Sequence, residues 1–265
     1  QNGGTDTQKG NVNTLAAAIT TAANTKDVKV INISQETSAP GGAAPGPLLE
    51  QAIRYAIDVR DVVVVAAAGN SGDKDNLDTY PAMYEGVLAV GASDRNNDRA
   101  TFSQNKPYVD VLAPGVDMWS TVPRGGHCSG DGTSFAAPYA SAVAALVREE
   151  HPNWTARQVV TAIEQTAQRG QMGTRDGSGW GVVDPLKAVT FDGVPGNAPV
   201  ETATPPPSAS PVHVDSLAFG PTRAEKDRET ATIVAFSGLA AVLLLTSGAV
   251  VLRDARNRRR TSGVS

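Results

Sequence analysis

Uninterrupted apolar runs alternate along this chain with segments whose apolar residues recur at helical spacing. The run at 62–68 has no polar alternation, which predicts a strand buried on both faces of a parallel sheet. Further predicted strands lie at 28–34, near Val87 and near Val109. Predicted helices lie at 12–24 and 47–58, and begin at Ser134 and Thr155. Helices alternating with parallel strands indicate a three-layer α/β domain.

A serine stands where a helix rich in small residues is predicted to begin, in the sequence Gly-Thr-Ser at 132–134. The unpaired amides and positive dipole end of that helix can stabilise negative charge developing beside Ser134. Gly132 gives the backbone room to turn, and Pro138 is expected in the first turn, where amide donors lack partners anyway. Ser134 can therefore be a nucleophile, although the motif alone favours a simple helix cap.

A second motif, Gly69-Asn70, ends the buried run at 62–68. Ligands bind at the carboxyl ends of parallel strands, so the Asn70 side-chain amide could donate to a substrate oxyanion. On its own, Gly-Asn predicts only a turn. Together the two motifs resemble the subtilase family of serine proteases, over residues 1–190. The resemblance implies a subtilisin-like parallel sheet, incomplete here, with Ser134 as the nucleophile and Asn70 as the oxyanion donor.

The same resemblance implies a substrate groove beside these two residues. In subtilases, the end of the strand that corresponds to 28–34 lines a groove in which an extended substrate pairs by backbone hydrogen bonds. The substrate-binding residues implied are Ile33, Ser34, Gly69, Gly132 and Thr133. The competing Gly-x-Ser-x-Gly motif of α/β-hydrolases is excluded, because Ala136 stands where its second glycine is needed.

A serine nucleophile needs a base, and subtilases supply aspartate, histidine and serine in that order along the chain. The chain has three histidines. His127 is interpreted as a residue of a glycine-rich loop, His151 as a favourable charge at a helix C-terminus, and His213 as part of a proline-rich stretch. We therefore expect the catalytic aspartate and histidine upstream of Gln1, in a longer protein of which this chain is the carboxyl-terminal part.

The composition changes after residue 190. Prolines among alanine, threonine and serine predict an extended linker and juxtamembrane segment at 191–230. Residues 231–252 carry no charge and would span about 33 Å as a helix, enough to cross a bilayer. The arginine-rich tail at 253–265 predicts a cytoplasmic C-terminus, which places the domain at 1–190 on the extracytoplasmic side of the cell membrane.

The net charge and the candidate metal ligands and cysteine indicate which partners and cofactors to expect. A net charge of −4 and an apolar content of 40% give no bias toward nucleic acid. No cofactor or metal is expected, because the acidic loop at 73–78 lacks the glycine and terminal glutamate of an EF-hand and is interpreted as solvated. Cys128, the one cysteine, is either an unpaired small residue or half of a disulfide to the upstream piece. An oxidising compartment favours the disulfide.

Subtilase domain, linker, membrane helix and tail together resemble the mycosins, the membrane-anchored subtilases associated with type VII secretion in actinobacteria. This resemblance implies a cell-envelope serine endopeptidase that cleaves peptide or protein substrates and docks on the secretion membrane complex. The alternative is a protein that is mainly a structural scaffold for that complex, with catalysis dispensable.

Overall fold

A computed structural model describes residues 11–38, 44–123, 125–169 and 177–200. These residues belong to one compact unit, Gln1–Pro207. The predicted membrane helix, the tail, His213 and most of the linker lie outside the described residues. In the described ranges, we find no helix with the length and hydropathy needed to span a bilayer.

The strands form one parallel sheet and two small antiparallel pairs. In chain order they are β1 (Val30–Ile33), β2 (Thr37–Ser38), β3 (Val63–Ala67), β4 (Thr79–Tyr80), β5 (Leu88–Ser93), β6 (Val111–Pro114), β7 (Met118–Thr121) and β8 (His127–Gly130). The sheet has the order β1-β3-β5-β6, and all its pairings are parallel. Every residue of β3 is buried, as its unbroken apolar run predicts. The parallel pairing brings the carboxyl ends of the four strands to one edge of the sheet.

Helices cover both faces of this sheet. They are α1 (Val12–Asn24), α2 (Gly46–Arg54), continued by a π-helical stretch at Tyr55–Val59, then α3 (Thr133–Glu150), α4 (Ala156–Thr166) and α5 (Pro185–Val189). On β3, Val63 and Val65 pack in one cluster with α3 and α4. Val64 faces the other cluster, with α1 and α2. The predicted α/β fold with a parallel sheet is therefore confirmed in this part of the chain.

Two features of the sequence interpretation are wrong. His127 was expected in a loop but lies in β8, which forms a hairpin with β7, where it pairs with Thr121. Most of this hairpin is exposed, so its strands have no buried face to mark them in the sequence. Pro138 was expected in the first turn of its helix, but α3 begins at Thr133 and Pro138 lies inside it. By contrast, the predicted helix start at Thr155 is confirmed, because Thr155 is the N-cap of α4 and forms a capping box with Gln158.

The two edges of the parallel sheet differ. Beyond β6, the backbone of Leu112 donates to the carbonyl of Gly181 at 2.8 Å and accepts from the amide of Val183 at 2.8 Å. That edge is therefore covered. Beyond β1, no strand among the described residues continues the sheet. The backbone groups along that edge are thus a place where a further strand can pair.

Candidate active site

The loop that leads to Ser134 is fixed to the carboxyl ends of two strands. The amide of Gly132 donates to the carbonyl of Gly115 at 2.8 Å, and the amide of Gly115 donates to the carbonyl of Ser93, the last residue of β5, at 3.0 Å. Gly115 itself directly follows β6. These bonds place the start of α3 at the edge of the sheet where ligands of parallel sheets bind.

Thr133 orients the side chain of Asn70. The Thr133 backbone amide donates to Asn70 Oδ1 at 2.8 Å, and its hydroxyl donates to the same oxygen at 3.1 Å. The Thr133 hydroxyl also accepts from the amide of Gly69 at 3.2 Å. With Oδ1 held by two donors, Nδ2 must point away from Thr133, and no described residue accepts a hydrogen bond from it. Asn70 is exposed, so this amide group is available to a ligand.

The side-chain oxygens of Ser134 and Asn70 lie near the same point beside Gly132. The position that a Cβ would take on Gly132 lies 3.0 Å from Ser134 Oγ and 3.7 Å from Asn70 Oδ1. Within the described ranges, Ser134 Oγ has no hydrogen-bond partner. As the second residue of α3, Ser134 also has a backbone amide that lacks an intrahelical acceptor. The arrangement offers one nucleophilic oxygen and two N–H donors for a developing oxyanion.

A polar clip joins α3 to the end of β1. The hydroxyl of Ser34 donates to the carbonyl of Ser134 at 3.0 Å and accepts from Asn32 Nδ2 at 2.9 Å. Asn32 Oδ1 in turn accepts from the Ser141 hydroxyl at 3.0 Å. Pro138 explains why the carbonyl of Ser134 accepts from Ser34. A proline has no N–H, so Pro138 cannot donate to this carbonyl four residues earlier in the helix. Sequence reasoning named Ser34 but missed Asn32 and Ser141; the available sign was that Ser134 and Ser141 are two helical turns apart.

The other residues predicted to bind substrate are enclosed in different ways. The Ile33 side chain is buried in the core, so only its backbone is placed for a substrate. Thr133 is fully buried, and its hydroxyl holds Asn70. Gly69 adopts φ +111°, which favours glycine, and a Cβ there would lie within 3 Å of three side chains.

Neither described histidine serves as a base for Ser134. His127 is exposed in the hairpin and makes no hydrogen bond to Ser134. His151 ends α3, about 25 Å along the helix from Ser134. Its ring stacks on Trp154 with centroids 3.7 Å apart, and its Nε2 donates to the carbonyl of Val189 at 3.0 Å. The described residues therefore supply a nucleophile without a partner base.

The remaining candidates for special chemistry are on the surface. Cys128 is an exposed free thiol in β8, with Ser120 Oγ at 3.7 Å, and its pairing with an upstream piece stays a prediction. In the acidic loop, Asp78 pairs with Lys106 at 3.0 Å, and Asn76 bonds to the backbone of Asn105. In the part of the chain that the structure describes, no group of three or more His, Cys, Asp or Glu side chains could hold a metal ion.

Comparison with known proteins decides the family. The model of the subtilase family, Peptidase_S8, matches residues 2–181. The chain belongs to the subtilase family. Among curated relatives of this subtilase, Mycosin-4 of Mycobacterium tuberculosis is 36% identical over 97% of the chain. Subtilisin Savinase of Lederbergia lenta is 40% identical over 60% of the chain.

Solved structures support the assignment of this chain to the subtilase family. MycP1 with its N-terminal propeptide removed matches 70% of the chain with a TM-score of 0.62 at 30% identity, over 68% of its own length. The MycP3 protease from the type VII (ESX-3) secretion system matches 71% of the chain with a TM-score of 0.63 at 33% identity, over 63% of its own length. The predicted resemblance to mycosins and the subtilisin-like fold are confirmed.

The match to each of these curated relatives covers only part of that relative. The chain spans 60% of the length of Mycosin-4 and 55% of the length of Subtilisin Savinase.

Two buried carboxyl groups of the subtilase have raised pKa values. Burial raises the pKa of Asp110 to about 7, although Asp110 Oδ2 accepts a hydrogen bond from the amide of Ala89 at 2.8 Å. Burial, and to a lesser degree the charge of Asp110, raises the pKa of Glu164 to about 8. The two groups are therefore largely protonated in the folded protein at mildly acidic pH.

Proposed function

We propose that this chain supplies the nucleophile and the oxyanion donor of a serine endopeptidase in the cell envelope. Ser134 Oγ attacks the carbonyl of a peptide bond while a histidine takes its proton and an aspartate orients that histidine. Asn70 Nδ2 and the amide of Ser134 hold the oxyanion, and the returned proton leaves with the amine. The observation that carries this proposal is the approach of Ser134 Oγ and Asn70 to one point beside Gly132, with Thr133 orienting the amide.

The catalytic aspartate and histidine come from polypeptide outside residues 1–265. That polypeptide docks against the edge of β1 that no described strand covers. Three observations support this step. The described histidines lie away from Ser134, the chain spans only 60% of the length of Mycosin-4, and the described residues leave one edge of the parallel sheet without a neighbour. A parallel strand added at that edge would end beside Ser34 and the start of α3.

The protease is anchored in the cell membrane by residues 231–252, with the tail at 253–265 in the cytoplasm and the subtilase domain at 1–190 on the extracytoplasmic side. The uncharged stretch and the arginines that follow it support this topology. A proline-rich linker at 191–230 would separate the domain from the bilayer.

Its substrates are peptides or proteins, and its partner is a type VII secretion membrane complex. The support is the similarity to MycP3, a protease from the type VII (ESX-3) secretion system, and to MycP1 from the ESX-1 type VII secretion system.

The complete protease, purified with its upstream polypeptide, tests the catalytic proposal. Ser134→Ala should abolish peptide hydrolysis. Asn70→Ala should lower kcat by about 10² to 10³, as removal of the equivalent donor does in subtilisin. Glu149→Gln, an exposed substitution near the far end of α3, is the matched control and should leave kcat unchanged. Hydrolysis that survives in Ser134→Ala would overturn the proposal.

One observation also fits the scaffold alternative. Within the described residues, no base lies beside Ser134. Ser134→Ala separates the two roles in cells. If secretion and the integrity of the membrane complex persist while cleavage is lost, the scaffold role is the essential one. If secretion fails although the complex assembles, proteolysis is essential.

A further inference from the structure

A buried glutamine is bonded to the loop that carries the proposed oxyanion donor. Gln104 lies in the segment between β5 and β6, 33 positions after Ser71, and it is fully buried. Its backbone amide donates to the carbonyl of Gly69 at 3.1 Å. Its side-chain Oε1 accepts from the backbone amide of Ser71 at 2.8 Å. One residue therefore bonds to the main chain on both sides of Asn70.

The side-chain amide of Gln104 has its hydrogen-bonding groups in use. Nε2 donates to the carbonyl of Leu77 at 2.6 Å and to the Ser71 hydroxyl at 3.0 Å. Because a carbonyl can only accept, the bond to Leu77 places Nε2 on that side, and Oε1 must then face the amide of Ser71. A buried polar group with all its partners in place makes its surroundings rigid. Gln104 can therefore act on a reaction at the site only through the loop that it holds.

Thr133 and Gln104 hold different parts of this loop. The Thr133 hydroxyl donates to Asn70 Oδ1 at 3.1 Å, so it sets the direction of the side chain. The bonds of Gln104 go to Gly69 and Ser71, so they set the path of the backbone from which that side chain extends. Both matter for the proposed reaction, because a donor stabilises an oxyanion only when it lies at hydrogen-bond distance from the charge that develops.

We propose that Gln104 is a positioning residue of the oxyanion site. It holds the backbone from Gly69 to Ser71 so that Asn70 Nδ2 meets the oxyanion at hydrogen-bond distance. The inference rests on the proposed function, because Asn70 is the oxyanion donor only in that reaction. The alternative is that Gln104 stabilises the fold alone, in which case its loss would lower the free energy of unfolding and leave kcat unchanged.

Gln104→Leu in the complete protease tests this role. Leucine is close to glutamine in size but cannot bond to Ser71 or Leu77 through its side chain. A displaced Asn70 should lower kcat by about 10- to 100-fold, whereas KM should change by less than about twofold. Ile163→Val, at a fully buried position of α4, is the control for a weakened core and should leave kcat unchanged.

The same substitution in an Asn70→Ala background makes the test specific. If Gln104 acts through Asn70, Gln104→Leu should lower kcat by less than about twofold once the side-chain amide of Asn70 is gone. A loss by the same factor in both backgrounds, or an unchanged kcat in folded Gln104→Leu, overturns the inference. If Gln104→Leu does not fold, Gln104→Asn, whose side chain is one methylene shorter, replaces it and is judged by the same outcomes.

Hydrogen exchange separates this inference from the proposed function. A wild-type protease that cleaves peptides while Gln104→Leu keeps its kcat leaves the proposed function in place and overturns the role of Gln104. If the wild type cleaves no peptide, the proposed function fails, and exchange of the Ser71 backbone amide decides whether Gln104 holds the loop. Exchange at least about tenfold faster in Gln104→Leu than in the wild type supports that hold, and equal rates overturn it.

Discussion

At the scale of single residues, Thr133 holds the oxyanion donor Asn70 in its orientation. It is fully buried, and its hydroxyl serves Asn70 as a donor and Gly69 as an acceptor. The orientation of the oxyanion donor thus depends on a side chain that itself touches no substrate in the proposed reaction. Thr133 is therefore a positioning residue, which acts on the reaction through Asn70.

Thr133→Val tests this dependence. The substitution keeps the shape but leaves the buried amide of Gly69 without an acceptor, so the free energy of unfolding should fall by about 1–3 kcal/mol. A less firmly held Asn70 should lower kcat more than it raises KM. Steady-state kinetics and chemical denaturation of the complete protease measure the two effects. Thr133→Ser, which retains the hydroxyl, should restore most of both; equal losses in the two variants would contradict the role of the hydroxyl.

At the scale of elements, the bond from Ser34 to the carbonyl of Ser134 depends on a proline one turn further along α3. Ser34→Ala removes that bond and should lower the free energy of unfolding by about 1 kcal/mol. In a Pro138→Ala background, the new amide at 138 can donate to the same carbonyl, so Ser34→Ala should cost much less. Denaturation of the four proteins of this double-mutant cycle gives the coupling energy. Additive costs would show that the two residues act independently.

The long elements could be predicted from the sequence because their patterns are strong. β3 is an unbroken apolar run, and α4 carries a capping box at Thr155, so local chemistry alone marks them. The β7–β8 hairpin could not be predicted in this way, since mostly exposed strands four residues long leave no pattern of burial. The same limit applies to the site. Motifs indicate Ser134 and Asn70, but the Asn32–Ser34–Ser141 clip joins residues more than 100 positions apart and exists only in three dimensions.

At the scale of the whole molecule, Asp110 and Glu164 make stability depend on pH. The folded state keeps protons on these groups up to about pH 7 and 8, whereas the unfolded chain releases them near pH 4. Between these limits the folded state binds more protons, so the free energy of unfolding falls as pH rises. The stabilising contribution is fully present below pH 4 and is lost above pH 8.

Asp110→Asn should weaken this dependence. The amide oxygen of asparagine can still accept from Ala89, and the group no longer ionises, so the melting temperature should fall less between pH 5 and pH 9 than in the wild type. Thermal unfolding across this range measures it. Asp75→Asn, at an exposed position, is the control and should follow the wild-type curve. Parallel curves for all three proteins would mean that Asp110 does not titrate with folding.

The open side of β1 has a consequence for biogenesis. Since no strand of the described residues covers this edge, its amides and carbonyls can pair with an extended segment, including the same edge of a second molecule. We therefore expect the strand that pairs with β1 to be in place before many copies of the polypeptide meet. Partial products without the complementing strand should self-associate rather than remain monomeric.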